Sequence, residues 1–145
     1  MNWKMEAEDK LRKYELMRMS LRNIPEEIDR LEVSASSIRG ASTDKTPVKG
    51  GGSRQEEFLL NNLVLRQELK RSLRQARQWV RIVSEALAAL DPTEQLVLQR
   101  LYIVSERGAM ERLCAELNCE KSNIYRIKEK SLEKFTLALY GATNT

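Results

Sequence analysis

The side chains with the most hydrogen-bonding reach stand together near the C-terminal end of the chain: Lys121, Ser122, Asn123, Tyr125, Arg126 and Lys128. Lysine offers a mobile point charge, arginine a planar fork of donors, and asparagine a donor beside an acceptor. Such a set suits a surface of phosphate oxygens and planar acceptor edges, the features of a nucleic-acid groove. Catalytic chemistry has little to work with. Histidine is absent, so imidazole-based acid–base catalysis is excluded, and Cys114 and Cys119 are the only cysteines. A zinc site would need further ligands, and the pair reads as two small apolar plugs. Gly50, Gly51 and Gly52 are not followed by the lysine and hydroxyl of a phosphate-binding loop. No enzyme, metal or cofactor is expected.

Three helical patterns must hold these donors in place. The first opens at Asp91, Pro92 and Glu94: an N-cap acceptor, a proline at the first helical position, and a carboxylate that can reach back to close a capping box. Its stripe of Leu96, Val97, Leu98, Leu101 and Tyr102 fades into Ser105 to Gly108, where glycine permits a turn. A shorter helix is expected over residues 109–117. Asn118 tolerates the left-handed conformation that ends a helix abruptly. A third helix then begins within residues 120–123, with Ile124, Ile127, Leu132 and Phe135 near one face and the donors above on the other.

Taken in order, Leu90, Pro92, Glu94, Val97, Leu98 and Tyr102, then Glu111, Leu113, Cys114, Leu117, Asn118 and Cys119, then Ile124, Tyr125, Arg126, Ile127, Lys130, Ser131, Leu132, Lys134 and Phe135 resemble region 4 of bacterial sigma-70 factors. The resemblance spans the C-terminal third. It departs at Cys119, where that pattern usually has valine, and at Asn118, where glycine is frequent. The full layout resembles the small phage-encoded regulators of the ArpU and RinA type. This likeness implies a helix-turn-helix, double-stranded DNA as partner, a role in transcription of phage or prophage genes, and a candidate contact with RNA polymerase. It implies base- and phosphate-reading positions at Lys121, Ser122 and Asn123, with Tyr125 and Arg126 beside them. Arg126 would then pair with guanine, Asn123 with adenine, and Lys121 or Lys128 with phosphate.

The remainder of the chain reads as long solvated helices: 32% of residues are charged and 6% aromatic. Tyr14, Met17, Leu21, Ile24, Ile28 and Leu31 recur in three- and four-residue steps, a heptad seam interrupted by Pro25, where a kink or break is expected. Residues 33–54 are rich in Ser, Thr, Gly and Pro and read as a flexible linker, or as an arm carrying Arg39, Lys45, Lys49 and Arg54. From residue 55, Leu65, Leu69, Ser72, Ala76, Trp79, Val83, Ala86 and Leu90 form a second seam, flanked by Leu73, Val80 and Leu87. That stripe is wider than one partner helix can cover, which motivates a homodimer through the hairpin. Arg66, Lys70, Arg71, Arg74, Arg77 and Arg81 follow with Glu68 as the only acid among them. They fit either a solvated face or a phosphate-contacting ridge, with Arg74, Arg77, Arg81 and Lys130 as accessory contacts.

Net charge is +4. From Leu90 onward, however, Arg100, Arg107, Arg112, Lys121, Arg126, Lys128, Lys130 and Lys134 are balanced by Asp91, Glu94, Glu106, Glu111, Glu116, Glu120, Glu129 and Glu133. Any phosphate attraction must therefore come from charges segregated by face, or from two copies acting together. No run of 18 apolar residues exists and the first ten residues lack a secretion-signal core, so a cytoplasmic protein without a membrane span is expected.

The expected architecture is all-α. A long coiled-coil-like hairpin (residues 1–32 and 55–90, kinked near Pro25, with 33–54 as linker) precedes a three-helix domain over 91–140 and a tail over 141–145. Two other classes compete with DNA-binding regulation. A small terminase subunit would recognise packaging-site DNA, and a coiled-coil adaptor would bind protein through the same head.

Overall fold

A computed structural model describes residues 1–42 and 51–143. It is all-helical, with no strand among the described residues: α1 (Trp3–Ser42), α2 (Gly51–Ala88), α3 (Pro92–Leu98), a π-helical turn (Gln99–Ile103), α4 (Ala109–Leu117) and α5 (Lys121–Tyr140). None of these helices is long and apolar enough to cross a membrane. The chain forms two compact units, residues 19–77 in one and residues 1–18 with 78–145 in the other.

In the unit of residues 19–77, heptad geometry decides which side chains turn inward. Ile28 and Ala35 are buried, and Leu21, Ile24, Leu31 and Ile38 are half-buried on the same row, at steps of three and four. The seam keeps its phase across Pro25, and the helix does not break there. A proline inside a helix forfeits a single backbone hydrogen bond, and the continuous seam on either side holds the segment helical. The same seam explains why α1 runs ten residues beyond the expected boundary at residue 32. Ala35 and Ile38 stand four and seven positions after Leu31 and extend its row, whereas composition alone made this Ser- and Ala-rich stretch resemble a linker. α2 likewise starts at Gly51, so residues 33–42 and 51–54 of the expected linker are helical, and the rest of it, with Lys45 and Lys49, lies outside the described residues.

The expected seam of α2 holds at Leu69, Ala76, Trp79, Val83, Ala86 and Leu90, each buried or half-buried, and fails at Leu65 and Ser72. The inward row takes in Asn62, Arg66, Leu69, Leu73, Ala76, Trp79, Val80, Val83, Ala86 and Leu87 and continues at Leu90, while Leu65 is 43% exposed and Ser72 faces solvent. Leu73 and Val80, expected at the flank, lie on the row itself. A row chosen by hydrophobicity passes over Asn62 and Arg66, yet both are bound in place. The Asn62 amide donates to the Leu31 carbonyl at 2.9 Å, and Arg66 Nε donates to Asn62 Oδ1 at 2.7 Å. Placing a satisfied polar pair on a helix seam fixes register at some cost in apolar contact.

The other unit holds the larger core. Ala7 and Leu11 of α1, Val83 and Ala86 of α2, and Leu90 pack with Leu98, Tyr102, Leu132 and Phe135. Tyr14 and Ser84 join their hydroxyls at 2.7 Å on the edge of this cluster. A second cluster joins Val97, Leu113 and Ile124, each fully buried, with Leu96, Leu101, Met110, Cys114, Leu117, Cys119 and Ile127 packed against it. Burying each such aliphatic side chain is worth about 1.5–3 kcal/mol, enough to dock α3, α4 and α5 as one piece.

The start of α3 is fixed by the expected capping box. Glu94 N–H donates to Asp91 Oδ1 at 2.8 Å, and Asp91 N–H donates to Glu94 Oε1 at 3.1 Å. Only 4% of Glu94 is exposed, and the Lys134 ammonium of α5 reaches both carboxylate oxygens, at 3.0 and 3.1 Å. A change of Lys134 to methionine keeps the aliphatic stem and leaves a nearly buried carboxylate without its cation. The expected loss is about 1–3 kcal/mol, read as a lower urea midpoint at unchanged slope; an unmoved midpoint would show that the ion pair contributes nothing.

Backbone donation from Glu94 holds the Asp91 carboxyl below its ordinary 3.8. Because the folded value is the lower one, this stabilisation is complete above the ordinary carboxylate range and is lost as pH falls through the folded value. An asparagine at this position would retain the cap without the titration. The Asp91→Asn variant is therefore expected to show a shallower fall of Tm below about pH 4, and superimposable acid limbs would exclude this contribution.

Candidate functional site

α4 and α5 are joined by Asn118, Cys119 and Glu120. Gly108 enters α4 at φ 82°, and Asn118 ends it at φ 51°, ψ 52°, the left-handed conformation expected of it. Cys119 N–H returns to the Cys114 carbonyl at 3.1 Å, closing the turn. Glu120 is extended, and its carbonyl accepts from Asn123 and Ile124 at 3.0 and 3.2 Å, which starts α5. Cys114 and Cys119 are free thiols, half-buried in the cluster around Leu113.

This turn aims the first part of α5 outward. Ile124 is fully buried, while its neighbour Tyr125 is 51% exposed, and Lys121, Ser122 and Arg126 are exposed. At ~100° per residue, Arg126 points opposite the side formed by Ile124, Leu132 and Phe135. Asn123 is half-buried, and its Oδ1 accepts from Arg126 Nη2 at 2.6 Å. Lys121 approaches Glu111 at 3.7 Å, an exposed contact that water and salt weaken.

Lys128 is less free than its neighbours. Its ammonium lies 5.9 Å from the Tyr102 ring centre, 5.6 Å from that of Tyr125, and 3.7 Å from Glu129. Tyr102, counted from the sequence only as part of an apolar stripe, is therefore the side chain that ties the flank of α5 down. It stands in the π-helical turn, 8% exposed, with the Arg12 guanidinium 5.5 Å from its ring. Burial, then the charges of Glu8 and Glu129, push its hydroxyl up to about 12, so it stays a neutral donor. Glu129 is held below the usual carboxylate range by a hydrogen bond from Lys4. No local periodicity announces these contacts, because Arg12 and Lys128 are remote from Tyr102 in sequence.

Several of the surrounding cations are tied into ion pairs. Arg100 pairs with Glu116 at 3.1 Å, Arg112 with Glu106 at 2.9 Å, and Lys134 with Glu94, while Arg126 and Lys130 have no ion pair among the described residues. The exposed side of α5 thus carries Arg126 and Lys130 together with Glu133, an exposed acid that likewise has no ion pair among the described residues. The accessory positions are not brought together within one unit. Arg81 and Lys130 belong to the unit that contains α5, whereas Arg74 and Arg77 are exposed on α2 in the other.

No protein-family model, curated protein or solved structure matches this chain.

Proposed function

We propose that this protein is a sequence-specific DNA-binding regulator of phage or prophage transcription, in which α4 and α5 act as a helix-turn-helix and α5 enters the major groove. The observation that carries this reading is the alternation at the start of α5: Ile124 fully buried, with Ser122, Tyr125 and Arg126 turned to solvent from the same turn. A helix fixed by its core while presenting an arginine, a serine hydroxyl and a tyrosine ring outward meets the steric and donor requirements of base-edge recognition. Lys130, which has no ion pair among the described residues, is an accessory phosphate contact on the same helix, and Arg126 is kept for a base edge.

The proposal includes a homodimer through a hairpin of α1 and α2. In the unit of residues 19–77, Phe58, Leu60, Leu63, Val64 and Leu65 are each more than 40% exposed, an apolar stretch that a second copy would cover. Two heads would also offset the weak phosphate attraction of one formally neutral head. RNA polymerase is the candidate protein contact of the regulator.

The test is retention of duplex fragments from a phage genome by the purified full-length chain, followed by footprinting. Selective retention that weakens steeply with salt is expected. Absence of any retained duplex at low salt would favour the adaptor reading. A ring of eight or more subunits by mass, bound to a packaging site, would favour the terminase reading, and a monomer at micromolar concentration would remove the dimer.

A further inference from the structure

An asparagine that reads adenine uses both halves of its amide, donating to N7 and accepting from N6. In α5 the accepting half of Asn123 is already engaged: its Oδ1 takes a hydrogen bond from Arg126 Nη2 at 2.6 Å. The two residues lie three positions apart on one helix, so the contact forms within α5 and needs no other element. Asn123 is itself held, half-buried in the first turn, with its backbone N–H bound to the Glu120 carbonyl at 3.0 Å. Arg126, by contrast, is exposed, and no acid among the described residues restrains it. An arginine carries five N–H donors, so one spent on Asn123 leaves a free edge for the paired acceptors O6 and N7 of a guanine.

We propose that Asn123 is a positioning residue for Arg126, and that the pair reads a single guanine rather than a guanine and an adenine separately. This rests on the DNA-binding reading above. Asn123 supplies the acceptor that orients the guanidinium, and Arg126 makes the base contact. The specificity of this part of the helix therefore resides in one base pair.

The experiment is selection from a randomised duplex pool by the full-length wild type and by the Asn123→Asp and Asn123→Ala variants, with helical content of each checked by circular dichroism. Aspartate keeps an acceptor oxygen for Arg126 but loses the amide donor, so it separates positioning from adenine reading. The Asn123→Asp variant is expected to keep the wild-type guanine preference at the same position. Asn123→Ala is expected to weaken that preference about tenfold, with no adenine position lost in either variant. An adenine preference in the wild type that vanishes in both variants would overturn the proposal, as would a guanine preference unchanged by alanine. Retention of no duplex by the wild type overturns the DNA-binding reading and this inference with it, an outcome distinct from an altered preference among bound duplexes.

Discussion

Replacing Phe135 with alanine is expected to cost about 3–5 kcal/mol of stability, the largest effect of any single substitution considered. Phe135 has no exposed surface and packs in the cluster that joins Ala7 and Leu11 to Val83, Ala86, Leu98, Tyr102 and Leu132. No neighbour can collapse into a space of that size without leaving its own contacts. A domain of this size has roughly 5–15 kcal/mol in total, so the variant should approach half-unfolded well below the wild-type Tm. Urea unfolding followed by circular dichroism measures the difference directly. A loss under about 1 kcal/mol would mean that α5 is not anchored by this residue, and its outward face would then lack a fixed orientation.

Arg126→Ala is expected to do the reverse, leaving stability unchanged and impairing recognition. The side chain is exposed, opposite the buried side of α5, and among the described residues it is hydrogen-bonded to Asn123. Nothing in the core depends on it. Loss of a bidentate guanine contact costs about 1–3 kcal/mol, a fall of about tenfold to more than a hundredfold in affinity for the selected duplex, with preference relaxed at one position. Nonspecific binding, measured on an unrelated duplex at the same salt, should fall far less. Equal losses on both duplexes would reduce Arg126 to a phosphate contact, and no loss on either would remove it from the site.

These two effects separate what the amino-acid order makes legible from what it does not. The capping box at Asp91 and Glu94 and the left-handed turn at Asn118 are decided within four residues, and both take the form their residue types imply. The outward aim of Ser122, Tyr125 and Arg126 follows from the spacing of Ile124 and Phe135 on the same helix. The inward turn of Asn62 and Arg66 on α2 was not legible, because it depends on partners on α1 that no hydrophobic count registers. The extension of α1 to Ser42 was hidden by composition, since serine and alanine serve a linker and a solvated helix equally well. Tyr102 and Lys134 owe their roles to groups distant in sequence: Lys128 and Arg12 around the ring, and Glu94 opposite the ammonium.

In the proposed regulator the exposed side of α5 lies in a major groove with Arg126 against a guanine. Dimethyl sulfate methylates guanine N7 in that groove, so probing the selected duplex with and without the full-length protein tests it most directly. Protection of a guanine in the selected site is predicted with the wild type, and loss of that protection with Arg126→Ala at concentrations where the variant still occupies the duplex. Full reactivity of every guanine in a duplex saturated with wild-type protein, or protection that survives Arg126→Ala, would contradict it.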